Sequence, residues 1–236
     1  MDGSQQQMAH FVRRFIYGIS HDLGAPIRHM SQFSSLLKQG LEPHISEKEA
    51  TYFEYIEQAQ QQAHQMLDGL RLLSQLVNQV SPDQLLNLAE LGQEILQRHQ
   101  AVHQLDDQQC TFTVQGQPAV HGAESHWRYI FNALIDNAVQ HHPDVRQLLL
   151  NITLTTEQDT VTLVVEDNGS GIKDSAIDLA LTPFRSLSVT KEKYAGMGLT
   201  NVSFISIYYK GTLDFESPAD GGLKVTYQQP VLEKGE

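Results

Sequence analysis

Apolar side chains recur at helical spacing from residue 5 to about residue 40. Val12, Ile16, Ile19, Leu23, Pro26, Met30, Phe33 and Leu37 advance by alternating fours and threes, the mark of a bundle or coiled-coil seam. Gly40 and Pro43 then stop the helix. Ser46-Glu47-Lys48-Glu49 has the form of a capping box that opens a second helix. Its seam runs through Ile56, Ala59, Ala63, Met66, Leu70, Leu73, Val77 and Val80. Two long helices joined by a short turn form an antiparallel hairpin, and one hairpin with a single seam cannot bury that seam alone. The expectation is a homodimer through residues 5–80, closed as a four-helix bundle.

The heptad pattern stops at Ser81-Pro82, so residues 1–80 and 81–236 are read as separate domains. Beyond the boundary, short apolar runs alternate with helical patterns, which predicts an α/β or α+β domain. Leu85–Leu88 reads as a short strand, 89–102 as a helix, Thr111–Val114 as a strand, and 124–140 as an apolar helix around Trp127, Ile130, Leu134 and Ile135. Leu148–Thr155 and Thr160–Val165 read as paired strands turning at Glu157-Gln158-Asp159. A short helix is expected at 174–181, a polar lid-like loop at 184–195 and a helix at 198–208. Leu213–Glu216 and Leu223–Gln228 complete a hairpin through Asp220-Gly221-Gly222.

Charge narrows the function classes. The formal net charge is -12, from 16 basic and 28 acidic side chains. Residues 1–80 hold 6 basic and 8 acidic side chains, so -2 of that charge lies there and -10 lies beyond. Such a balance argues against a nucleic-acid-binding face. The single cysteine, Cys110, excludes an internal disulfide and suits a reducing compartment. It is expected to be a small buried hydrophobe. No run is long enough to cross a bilayer, and the expected location is the cytoplasm.

Four stretches carry chemistry. Ser20-His21-Asp22-Leu23-Gly24-Ala25-Pro26 places a nucleophile beside a carboxylate within a helix, just before a helix-bending proline. His21 lies about 200° around the helix from Ile19 and Leu23, away from the seam. Asp167-Asn168-Gly169-Ser170-Gly171 follows a strand; its carboxylate can accept from an adenine amino group where the glycines let backbone approach a flat ligand, although an ordinary strand-exit turn has the same residues. Gly196-Met197-Gly198-Leu199 opens a helix, whose N-terminal N–H groups suit phosphate. Asn137, inside the apolar helix, offers a hard oxygen to Mg²⁺, or is a core amide with a partner.

Taken together and in this order, these motifs resemble the sensor histidine kinases of two-component signalling. His21-Asp22-Leu23-x-x-Pro26 resembles the H-box, Asn137 the N-box, Asp167-x-Gly169-x-Gly171 the G1 box, Pro183-Phe184 the F-box and Gly196-x-Gly198-Leu199 the G2 box. The resemblance implies an all-α dimerisation and phosphotransfer hairpin followed by an α/β sandwich ATP-binding domain of the GHKL type. It further implies that His21, aided by Asp22, takes the γ-phosphoryl of Mg-ATP and hands it to an aspartate of a response regulator receiver domain. Asn137, Asp167, Gly169, Gly171, Phe184, Lys191, Gly196, Gly198 and Leu199 would hold the nucleotide, and Asn137 the Mg²⁺.

Several positions depart from the family pattern. Ala133 stands where the first N-box asparagine is usual, with Asn132 one place off, and cannot activate water as the glutamate of gyrase or Hsp90 chaperones does. Gln140 replaces a basic residue, for which Arg185, Lys191 or Lys193 could substitute, and Tyr194 replaces the first G2 glycine. Ala25 lacks the side chain that orients water for regulator dephosphorylation, which predicts weak or absent phosphatase activity. The rival expectation is a phosphotransferase or scaffold with a degenerate nucleotide domain. A chaperone-like ATPase fits less well. With about twenty residues ahead of His21, either a separate upstream sensor protein supplies the signal or the chain is a truncated kinase core. His121, His126, His141 and His142 lack acidic or cysteine companions at metal-ligand spacing and are expected to be solvated or capping. Asp136 is expected to be a surface charge.

Overall fold

A computed structural model describes residues 3–41, 45–78, 84–182, 197–218 and 221–231; the side chains of 3–17, 20, 21, 65, 72, 73, 75–78 and 174 fall outside the description. The chain divides into two compact units, with the division between Asn78 and Gln79.

The first unit is the helical hairpin. Helix α1 spans Gly3–Leu41 with Pro26 inside it, and α2 spans Glu47–Asn78. The capping box forms as expected. Ser46 Oγ accepts from the Glu49 N–H at 3.3 Å, and Glu49 Oε2 accepts from the Ser46 N–H at 2.8 Å, so two orphan donors of α2 are satisfied reciprocally. Lys38 and Glu57 pair across the hairpin at 2.7 Å. Leu67 of α2 is buried, with Gly24 of α1 against it. Much of the seam nevertheless stays open in the single chain: Met30, Phe33 and Leu37 are 56%, 63% and 60% exposed. An apolar stripe of that kind marks an interaction surface.

In the second unit, β1 (Leu85–Asn87) leads straight into α3 (Leu88–His103), whose first N–H groups are capped by Asn87 Oδ1. Strand β1 pairs antiparallel with β3 (Ala119–His121), a strand that three residues are too short to announce by alternation. The main sheet holds β2 (Cys110–Gln115), β4 (Leu150–Glu157), β5 (Thr160–Asp167), β6 (Thr212–Glu216) and β7 (Lys224–Pro230) in the order β2-β4-β5-β7-β6. Among the described residues, only the β2–β4 pairing is parallel. Helix α4 spans Glu124–His141, α5 Asp174–Leu181 and α6 Gly198–Tyr208.

Register gathers the core into rows. Phe112, Ile152, Val165, Val225 and Phe215 lie opposite one another across all five strands, as do Val114, Leu154, Leu163, Tyr227 and Leu213. Along β5, Val161, Leu163 and Val165 are buried and the intervening residues are not, the period-two pattern of a sheet with one covered face. Helices α3, α4 and α6 supply the cover, with Trp127, Ile130, Phe131, Leu134, Val202 and Ile205 buried. The fit is close at Gly92, where an added Cβ would lie 2.7 Å from Phe112 and 2.9 Å from Phe131.

Several boundaries move. Leu88 belongs to α3 rather than β1, because the Asn87 cap starts the helix there. Leu148 precedes β4, since Val145–Gln147 forms a 3₁₀ turn ahead of it. Strand β5 runs on to Asp167, because the Asp167 N–H still donates to Leu223. Gln158 and Asp159, both with positive φ, form the β4–β5 turn, the backbone that a tight hairpin needs. Cys110 is buried as expected, and burial pushes its thiol up to about 11. The expected lid at 184–195 lies outside the described residues. Among the described residues, no helix is long and apolar enough to cross a membrane.

Candidate active site

Alternation along β5 continues through Val161, Leu163 and Val165 to Asp167, so its carboxyl points between the sheet and the helices. The chain then folds back on that carboxyl. Asp167 Oδ1 accepts from the Gly169 N–H at 2.7 Å, while the Asp167 N–H donates to Leu223 O at 3.0 Å. Asn168 turns outward, taking the Leu149 N–H on Oδ1 at 2.7 Å and donating from Nδ2 to Gln147 O at 3.0 Å. Its role is to pin the loop, while its neighbour faces inward. Burial raises the Asp167 carboxyl above the usual aspartate range, against the backbone at Gly169 and Leu223 and the nearby His142 and His141, which lower it.

The glycines make a double clamp. Gly169 O accepts from the Gly222 N–H at 2.8 Å. Gly222 has φ +90, and an added Cβ would overlap the carbonyl oxygen of Asp167 and lie 3.0 Å from its carbon. Gly171 has φ +66 and would place a Cβ 2.5 Å from Gly222 O. Ser217 closes the far side, its Oγ donating to Ile172 O at 2.7 Å and accepting the Ile172 N–H at 3.0 Å. The sequence reads Asp220-Gly221-Gly222 only as a hairpin turn. Its contact with the Asp167 loop depends on the β5–β7 pairing, which is a long-range fact.

Helix α4 ends beside this loop. A Cβ on Gly169 would lie 3.6 Å from both His141 O and the His142 ring. Asn137 stands one turn back from His141, partly exposed, and among the described residues no side chain or backbone group engages its carboxamide. Its oxygen therefore suits a hydrated Mg²⁺. Ala133 is buried. Asn132 does not replace it, because its Nδ2 donates to Arg128 O at 2.6 Å and its Oδ1 faces His99 at 3.0 Å. Gly198 is the first residue of α6, Leu199 is buried behind it, and the N-cap residue Met197 makes no side-chain cap, an arrangement whose N–H groups suit an anion.

Two expectations are corrected. Asp136 is no surface charge: α3 covers that side of α4, leaving Asp136 4% exposed with its Oδ1 3.7 Å from His99 Nδ1. His126 is neither solvated nor capping, since it is buried with its Nδ1 2.9 Å from the Tyr209 hydroxyl. His142 does cap, accepting the Asp144 N–H at 3.1 Å. In the hairpin, His21 lies in α1 with its side chain outside the description, and Asp22 is exposed. Phe184, Lys191 and Gly196 lie outside the described residues.

Residues 122–233 match the family model described as histidine kinase-, DNA gyrase B-, and HSP90-like ATPase. The match spans just under half of the chain. Over 216 residues the chain is 24% identical to the sensor protein CreC of Escherichia coli, covering 90% of this chain and 44% of CreC. It is 29% identical over 119 residues to the sensor protein RprX of Bacteroides fragilis, covering 49% of this chain and 23% of RprX. The chain thus spans less than half the length of these relatives. In fold, it is similar to full-length ShkA in complex with AMPPNP, with a TM-score of 0.62 at 16% identity, covering 94% of this chain and 47% of that one. The resemblance to sensor histidine kinases therefore holds in sequence and in fold, and the expected order of helical segment and GHKL-type α/β domain is the order observed.

Proposed function

We propose that this chain is a histidine kinase core that binds Mg-ATP in its second unit and autophosphorylates His21. The observation that carries the reading is the inward-facing Asp167 carboxylate, held by Gly169 and walled by the Gly171–Gly222 backbone. Its second oxygen is left to accept from an adenine amino group, while the glycines let the flat base approach without a Cβ in the way. The α6 N-terminus at Gly198 receives phosphate. Phe184, Lys191 and Gly196 complete the nucleotide site, with Lys191 supplying the positive charge that Gln140 does not.

Asn137 would hold the Mg²⁺, which neutralises phosphate charge when bound. Neutral His21 attacks the γ-phosphorus through one ring nitrogen, and the bond to the ADP oxygen breaks as the N–P bond forms. Asp22 accepts a hydrogen bond from the other ring nitrogen and stabilises the positive charge that develops there. The phosphoryl group then passes to a receiver-domain aspartate of a response regulator. Ala25 orients no water, so the regulator keeps its phosphoryl group. The input reaches this core from a sensor module, and the reaction takes place in the cytoplasm.

Incubation with γ-labelled ATP and Mg²⁺ tests this. Label is expected on the wild type and on none of the His21→Ala protein. A purified receiver domain should then take the label and lose it no faster than it does alone. An unlabelled wild type that still exchanges phosphoryl groups with a receiver would support the relay reading, which the buried Ala133 favours.

The exposed stripe of Met30, Phe33 and Leu37 supports a homodimer through residues 5–80. Met30→Glu with Phe33→Glu would place charge on an apolar seam, at about 2 kcal/mol or more per buried charge. Light scattering after size exclusion should show a dimer for the wild type and a monomer for the double variant. A variant that remains dimeric at low micromolar concentration removes this interface.

A further inference from the structure

We propose that His99, His103 and Asp136 form a binding site for a divalent transition-metal ion of the zinc class between α3 and α4, apart from the nucleotide site. The three side chains each offer one ligand atom, and these atoms lie within 4.8 Å of one another. His99 and His103 are four residues apart on α3, so both rings leave the same helix face, and they stack 5.9 Å apart at 17°. Asp136 meets them from α4.

Hydrogen bonding sets which atom of His99 faces the gap. Asn132 Nδ2 donates to Arg128 O at 2.6 Å, which leaves Oδ1 as the atom 3.0 Å from His99 Nε2. Nε2 must therefore carry the proton and donate. That is the arrangement of a metal-binding histidine, whose second nitrogen is held by a carbonyl in the outer shell. Nδ1 is left facing Asp136 Oδ1 at 3.7 Å. The separation is too long for a hydrogen bond. The cluster is buried, with side-chain exposure of only 7% for His99 and 5% for Asp136, so a cation held there would be shielded from water. Zinc bonds of about 2.0–2.2 Å to N and O place tetrahedral ligand atoms about 3.4 Å apart, so the 3.7 Å gap needs little adjustment. His103 is half-buried, free to swing in as third ligand and to leave the fourth position to water. Two imidazoles with one carboxylate favour zinc or its neighbours over Mg²⁺, which takes oxygen ligands.

The test uses the whole chain, stripped with a chelator and titrated with Zn²⁺ by calorimetry and with Co²⁺ by visible absorption, in excess Mg²⁺. One equivalent of Zn²⁺ is expected, with the intense visible bands of tetrahedral Co²⁺ and a raised unfolding temperature. His103→Ala, at a half-buried position, should keep the wild-type circular dichroism and weaken Zn²⁺ binding at least tenfold. Asn132→Ala should weaken it about 10–100-fold by freeing the His99 ring, and His29→Ala on the exposed face of α1 should not change it. Binding that is unchanged in His103→Ala, absent in the wild type, or competed away by Mg-ADP would overturn the site; in the first two cases a doubly protonated His99 paired to Asp136 accounts for the geometry.

Discussion

Asp167→Asn is expected to weaken adenine-nucleotide binding about a hundredfold, ~2.7 kcal/mol, while leaving the fold intact. The carboxylate has two acceptor oxygens, and Oδ1 already holds the Gly169 N–H at 2.7 Å. An asparagine has one oxygen. If that oxygen keeps Gly169, the amide nitrogen confronts the adenine amino group, donor against donor. Titration with a fluorescent ADP analogue measures the loss, and affinity within threefold of the wild type would sink the assigned role.

Acidity separates binding from stability at the same residue. Burial raises the Asp167 carboxyl above the ordinary aspartate value. The ionised form is therefore the costly one in the folded state, and stability from this group is complete below the unfolded-state value and declines as pH rises through the folded one. On the proposed role, nucleotide binding uses the ionised form and runs the opposite way: it is complete above the raised value and falls as pH drops through it. The wild type should thus lose affinity on acidification sooner than an ordinary aspartate would dictate, and Asp167→Asn should show no such step. At neutral pH the nucleotide-free variant should unfold at a temperature no lower than the wild type. The site keeps a charge that the fold alone would do better without.

Gly222→Ala is expected to cost about 3 kcal/mol or more in stability. With φ +90 the residue occupies backbone space that alanine enters only under strain, and the new methyl group would collide with the backbone of Asp167. Relief requires moving either β7's entry or the end of β5, and both moves stretch the 2.8 Å bond from the Gly222 N–H to Gly169 O. An unfolding temperature about 6–12 °C lower is expected at 2–4 °C per kcal/mol, together with loss of nucleotide binding. Gly221→Ala is the comparison. Its φ is +101, but among the described residues a Cβ there meets only Gly169 O at 3.6 Å, so it carries the conformational strain without the collision. Equal unfolding temperatures for the two variants would show that the clamp contributes nothing of its own.

Much of the fold could be read from local patterns because those patterns have local causes. The seam of α1, the Ser46 capping box and the alternation of β4 and β5 each depend on neighbours a few residues away. The order of the Asn137, Asp167 and Gly198 motifs pointed to the site for the same reason. What could not be read depends on pairings distant in sequence. The parallel β2–β4 pairing joins strands 40 residues apart, as Thr111 opposite Asn151 shows. Asp136 could not be known to be buried without knowing that α3 lies over it, and Gly222 could not be tied to Asp167 without the β5–β7 pairing. His99 and His103 did carry a signal, since a four-residue spacing places both on one helix face.

Parity along β5 sets a limit on how this chain can change. Val161, Leu163, Val165 and Asp167 share a face because they are two residues apart, and their partners on β4 and β7 keep the same count. The turn at Gln158-Asp159 lies outside that stretch and can gain or lose residues without disturbing it. Between Val161 and Asp167, by contrast, one inserted or deleted residue would send the carboxylate to the opposite side of the sheet while leaving every residue of the motif in place. A relative with the same Asp-x-Gly-x-Gly letters but an odd change in strand length would carry the signature without the site.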